Sequence, residues 1–311
     1  MMRFRYFLLL VVAALFSLSA CNNTEAPDDG KISVVCTAFP QYDWVREIVG
    51  ENSGIFDITY ITDNGTDMHS YQPTADDIIK ISDCDILISV GGTSEGWIDD
   101  AVRNNPKSER VHLKLMDLAG DSIMHVGENH GHSADEHVWL SLKNASVFCK
   151  EICSEICKRD RKNEEYYSEN AERYIQDLNY IDKVAEEFIA SSPRDTVIFA
   201  DRFPFRYTLH DYGIKYCAAF EGCSSDSEVT FDTVIHLSEM IDNMDIKAIL
   251  VTDDSDGKIA EAVISNTNNK EIEIYKLNSM QSVSAADVKN GMRYIEVMRD
   301  NLALIHGALI V

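Results

Sequence analysis

The sequence predicts an α/β protein of two lobes, each a parallel sheet flanked by helices, joined by one long helix that leaves a cleft between the lobes. Three observations carry this. Short apolar runs alternate with helix-like periodic segments in both halves of the chain, the pattern of parallel strands with helical crossovers. Between the halves, residues 163–190 repeat apolar side chains at three- and four-residue spacing without a break, which describes one helix of about 40 Å. The chain has 311 residues, 45% of them hydrophobic, which is enough for two cores. The boundaries read as residues 31–160 for the first lobe, 161–192 for the connecting helix and 193–311 for the second lobe.

The N-terminus stands apart. Arg3 and Arg5 precede an apolar run at 7–16 that is too short to span a bilayer as a helix, so residues 1–20 read as a signal peptide. Leu18-Ser19-Ala20-Cys21 resembles a bacterial lipobox, in which Cys21 becomes the acylated first residue of the mature protein. Residues 22–30 are then the polar tether of a domain lipid-anchored on the extracytoplasmic face of the cell membrane.

In the first lobe, 31–39 (KISVVCTAF) reads as a buried strand, and Pro40 opens a helix that Gly50 stops. Strands follow at 56–62, 85–92 and 111–118, with helices at 74–82 and 97–104. Residues 141–160 are helical and lead into the long helix, in which Tyr167, Ala171, Tyr174, Ile175, Leu178, Ile181, Val184, Ala185 and Phe188 form the apolar face. Pro193 ends that helix. The second lobe then places strands at 196–200, 215–220, 247–252 and 271–277, and helices at 231–243, 257–265 and 287–308.

Charge narrows the function. The chain carries 28 Lys and Arg against 52 Asp and Glu, a net −24, so the net electrostatic attraction on which nucleic-acid binding depends is missing. Most of these carboxylates are solvated surface. Of eight cysteines, one is assigned to the lipid, and the odd seven left cannot all pair within the chain. Cys149, Cys153 and Cys157 recur on one helical face, where neighbours are badly placed to bridge, and read as small buried hydrophobes rather than a three-thiolate metal site.

Five of the nine histidines lie between His112 and His137. His125, His130 and His132 interleave with Glu128, Asp135 and Glu136 on a glycine-containing loop, a donor set suited to a borderline divalent ion such as Zn²⁺. His137 runs directly into Val138-Trp139-Leu140, an apolar stretch that would fix its position.

Two segments extend this reading. Asp67-Met-His69-Ser-Tyr71-Gln-Pro73-Thr-Ala-Asp76 and Asp135-Glu-His137-Val-Trp139-Leu140-Ser141 resemble the first and second ligand motifs of the extracytoplasmic zinc/manganese-binding proteins of ABC importers, the cluster built on a long rigid helix. The acidic, His-bearing loop before His137 is similar to the accessory loop of zinc-type members. The resemblance covers the chain from about residue 31. It implies His69 and His137 as metal ligands and a monomer that hands metal to an ABC permease and its ATPase. At the third ligand position Asp201 stands in Val197-Ile-Phe-Ala-Asp201-Arg202, as a carboxylate does in manganese-type members, with Asp211-Tyr212-Gly213 following. At the fourth, Asn278 in Leu277-Asn278-Ser279-Met280 offers only a neutral carbonyl oxygen. Water or another carboxylate, Glu221 or Asp253, would complete the shell, and Arg202 could pair with Asp201 in the metal-free protein, which would oppose metal binding.

Two neutral imidazoles favour Zn²⁺ over a hard, oxygen-seeking ion, while the carboxylate and weak fourth ligand admit Mn²⁺ or Fe²⁺. A zinc hydrolase would share three ligands and an open position, but no His-Glu-x-x-His run is present. A surface adhesin is the remaining class, and no repeat supports it.

Overall fold

The computed structural model describes residues 30–126, 133–220, 222 and 229–311, of which Ile32–Val311 belong to one compact unit. Its first sheet holds β1 (Ile32–Cys36), β2 (Phe56–Tyr60), β3 (Ile86–Ser89) and β4 (Val111–Lys114) in the order β2-β1-β3-β4. The second holds β5 (Thr196–Phe199), β6 (Lys215–Ala218), β7 (Ala248–Thr252) and β8 (Glu273–Leu277) in the order β6-β5-β7-β8. Every pairing is parallel, so loops carrying side chains for a common site gather at the C-terminal ends of the strands. The crossovers of the first lobe are α1 (Phe39–Val49), α2 (Ala75–Asp83) and α3 (Gly96–Asn104), followed by the short α4 (Leu115–Ala119).

Helices α5 (Leu142–Arg159) and α6 (Glu164–Ala190) pack along each other, and α6 also touches α1 and the C-terminal α11 (Tyr294–Ile310). The 27-residue α6 buries Tyr167, Ala171, Tyr174, Ile175, Leu178 and Ala185. Phe188, expected on that face, is exposed and stacks on His306 at 5.6 Å. The second lobe adds α7 (Arg206–Asp211), α8 (Phe231–Met244), α9 (Lys258–Asn266) and α10 (Ala285–Lys289). One hydrophobic core runs from β1 through α5 and α6 to β8 and α11.

Two segments depart from the sequence reading. The strand expected at 111–118 ends at Lys114, and Leu115–Ala119 is helical: Met116 N–H donates to Val90 O at 3.0 Å, and the turn buries Leu115. The helix expected at 287–308 is two helices. Gly291 at φ +93 breaks them, and Asp43 Oδ2 accepts the Tyr294 N–H at 2.8 Å to start α11.

Cys149, Cys153 and Cys157 line the buried face of α5, with the Cys153 and Cys157 sulfurs 3.8 Å apart. Burial pushes the Cys149 and Cys153 thiols up, so they pack as small hydrophobes and the thiolate form a metal needs is disfavoured. Cys36, Cys84 and Cys217 are likewise free thiols. Cys21 and Cys223 lie outside the described residues.

Candidate metal centre

His69 sits in the loop after β2. Asp67 turns that loop, its Oδ1 accepting the His69 N–H at 2.8 Å while its carbonyl accepts from Ser70 at 2.9 Å. Buried Met68 roots it, and Tyr71 anchors the far end by donating to Asp77 Oδ2 at 2.8 Å, within the cap of α2. The His69 ring meets Ser94 Oγ through Nδ1 at 2.7 Å. Ser94 lies in the turn that follows β3.

His137 enters a single helical turn whose Val138, Trp139 and Leu140 are fully buried. Asp135 Oδ1 accepts both the His137 backbone N–H at 3.0 Å and Nδ1–H at 2.7 Å, while Arg206 Nε donates to Oδ2 at 3.2 Å. Burial alone would raise the Asp135 carboxyl. The hydrogen bonds from His137 and the charge of Arg206 outweigh it and hold the group below the usual carboxylate range. An ionised carboxylate accepts only, so the His137 proton sits on Nδ1 and Nε2 presents its lone pair.

The two imidazoles converge, with His69 Nε2 3.0 Å from His137 Nε2 and the ring planes 58° apart. Nitrogens bound to one tetrahedral zinc lie about 3.3 Å apart, from Zn–N bonds of 2.0–2.1 Å. Burial, then the neighbouring His137, lowers the His69 pKa and keeps the ring neutral, the form that ligates. Gln281, from the loop after β8, closes the third side. Its Nε2 is 3.2 Å from His69 Nε2 and also contacts His137 Nε2. A half-turn of that amide exchanges Nε2 for Oε1, a neutral oxygen donor, at the same point.

The other sequence candidates are held elsewhere. Asp201 Oδ2 accepts from Thr252 Oγ1 at 3.0 Å, and Oδ1 accepts from the backbone N–H of Arg202 at 2.8 Å, so the carboxylate ties the end of β5 to that of β7. Asn278 Oδ1 accepts the Met280 N–H at 2.8 Å, and its backbone is bracketed by Asn301, fixing a turn in which Met280 has φ +59. Asp253 Oδ1 accepts from Ser279 N–H at 3.3 Å. Among the described residues no three His, Cys, Asp or Glu side chains stand close enough to hold one ion. His125 is exposed and bridges to Ala134. Glu128, His130, His132 and Glu221 lie outside the described residues.

Sequence reasoning missed Gln281 because an uncharged amide is a weak ligand signal, although it lies three residues past Asn278 in the same loop. It also missed the supporting contacts of Arg206 with Asp135 and of Ser94 with His69.

A family model described as "ZnuA: Zinc-uptake complex component A periplasmic" matches residues 34–308. The chain is 28% identical over 320 residues to the "High-affinity zinc uptake system protein ZnuA" of Bacillus subtilis, covering 97% of each. It is 27% identical over 309 residues to the "Zinc-binding lipoprotein AdcA" of Streptococcus pneumoniae, covering 95% of this chain but 59% of that protein. The crystal structure of the Zn(II)-bound ZnuA-like domain of the same AdcA superposes with a TM-score of 0.72 at 25% identity, covering 90% of this chain and 99% of that domain.

Proposed function

The chain belongs to the family of the periplasmic zinc-uptake complex component A, and from that premise we propose that it is the extracytoplasmic receptor of an ABC importer, capturing Zn²⁺ and delivering it to a membrane permease and its ATPase. The observation that carries this reading is the pair of convergent imidazoles, His137 buried and His69 half-buried, with Nδ1 of each hydrogen-bonded and the two Nε2 atoms 3.0 Å apart. In this reading His69 and His137 are the nitrogen ligands and the Gln281 amide oxygen replaces its N–H₂ when the ion arrives. Two nitrogens and no carboxylate in that set favour zinc, with Mn²⁺ and Fe²⁺ as weaker cargoes. In this reading the protein is a receptor rather than an enzyme, as membership of a zinc-uptake family implies. Acylated Cys21 would hold it at the membrane, and the loop bearing His125, His130 and His132 would collect metal ahead of His137.

Competition of Zn²⁺, Mn²⁺ and Fe²⁺ for the purified protein, read by calorimetry, tests this. Zinc binds most tightly to the unaltered protein, and His69→Ala and His137→Ala each lower its affinity at least 100-fold. Unchanged zinc affinity in both variants would overturn the assignment.

A further inference from the structure

We propose that Glu136 is a positioning residue for His69, acting through the turn at 92–94, so that the consecutive acids Asp135 and Glu136 orient one imidazole each. Asp135 holds His137 directly. Glu136 works at one remove: its Oε1 accepts from Thr93 Oγ1 at 2.6 Å and from the Ser94 N–H at 3.0 Å, and Ser94 Oγ meets His69 Nδ1 at 2.7 Å. Both bonds to Oε1 fall on the turn that carries the Ser94 hydroxyl, so the position of that hydroxyl, and of the ring on it, is set from Glu136.

The glycine before this turn is an independent mark of the same fit. A Cβ at Gly92 would lie 2.2 Å from Glu136 Cδ and 2.5 Å from Oε1, so only glycine lets the carboxyl reach the turn. Glu136 is 6% exposed, and its Oε2 is buried with no hydrogen-bond partner among the described residues. A carboxylate confined this way is costly to bury, and the hydrogen bonds to Thr93 and Ser94 are what it gains. His69 and His137, 68 positions apart, are thus aligned from adjacent residues of one strap.

The inference rests on the zinc reading for its consequence but not for its geometry, and the test separates them. In metal-free protein, the ring resonances of His69 are compared by NMR for the unaltered chain, Glu136→Ala, Glu136→Gln and Ser94→Ala. Zinc affinity is then measured for the same set. Glu136→Ala and Ser94→Ala shift the His69 ring signals and weaken zinc 10–100-fold, as loss of an outer-shell partner does. Glu136→Gln keeps an acceptor oxygen for both donors and restores both readouts to within about threefold. The double variant Ser94→Ala/Glu136→Ala is no weaker than either single change, because both act on one route. Ring signals and affinity unchanged in Glu136→Ala, additive losses in the double variant, or Glu136→Gln as damaged as Glu136→Ala would each overturn the positioning role. Should the unaltered protein fail to bind zinc, the functional reading falls, while the NMR comparison still decides the geometry.

Discussion

Replacing Asp135 by alanine removes the acceptor that orients His137 and the carboxylate that pairs with Arg206. The Asp135 and Arg206 side chains are 1% and 10% exposed and their N···O distance is 3.2 Å. At an effective dielectric of about 20 the gross attraction is about 5 kcal/mol. Deleting the carboxylate also relieves its own desolvation, so the net loss for a broken buried pair is about 3–5 kcal/mol. Tyr207 Oη donates to the Asp135 carbonyl at 2.8 Å and survives the substitution, which places the loss at the lower end. For a chain of this size that is a fall in Tm of roughly 5 °C. Zinc affinity falls a further 10–100-fold, because the His137 ring loses the bond that fixes its tautomer. Urea unfolding of metal-free protein gives the first quantity, and zinc competition with a chromophoric chelator gives the second. A stability loss under 1 kcal/mol, or zinc affinity within twofold of the unaltered protein, would refute the argument that Asp135 holds the centre together.

Gln281→Glu puts a charged oxygen beside the two imidazoles and tightens zinc at least tenfold, about 1.4 kcal/mol, whereas Gln281→Ala loosens it tenfold; Asp201→Ala and Asn278→Ala stay within threefold, and the four variants compared by competition titration show which residue of the second lobe meets the ion. Saturating zinc at 100 times its dissociation constant stabilises the protein by about 2.7 kcal/mol, an increase in Tm read by calorimetry that His137→Ala abolishes. Burial raises the Asp43 carboxyl to about 6 against the opposing Tyr294 N–H. Its folded pKa is the higher one, so its contribution is complete below pH 4 and is lost as pH rises through 6; Asp43→Asn, which still accepts from Tyr294, removes that loss and gains about 2–3 kcal/mol over the unaltered protein at pH 7.5 but not at pH 4, by urea unfolding at both.

The strands and helices were legible because period and punctuation agree: Pro40 opens α1, Gly50 closes it, and α6 keeps one apolar stripe for 27 residues. What was not legible depends on contacts distant in sequence. The break before α11 needs Asp43, 251 positions away, as the acceptor for Tyr294, although the Asn290-Gly291 pair was a local signal for it. In the site, His69 and His137 stood out because their neighbours are diagnostic. Asp201 and Asn278 were drawn in by chemistry and loop position; in the structure their side chains accept from Thr252 and Met280, since a carboxylate or amide at a strand end is also suited to capping a turn. Gln281 was invisible to charge-based reasoning.

The loop that carries Gln281 explains how the lobes share one site. Leaving β8, the chain crosses to the first lobe: Gln281 O accepts the Met68 N–H at 3.3 Å, Val283 O accepts from Tyr60 Oη at 2.9 Å, and Asp63 O accepts the Ala285 N–H at 2.6 Å. Trp139 Nε1 donates to Ser279 O at 3.0 Å, immediately beside the His137 turn. Gln281 is therefore held in the frame of the two histidines. A wide swing of the second lobe would break all four bonds and expose the buried Trp139, Met280 and Val283. Turning one amide in place breaks only its contacts with the imidazoles and with Ser279 Oγ, which Gln281 Oε1 accepts at 3.3 Å. The less costly route for an ion is thus local exchange at Gln281, and a chain built on α6, which touches elements of both lobes, favours that route over domain opening.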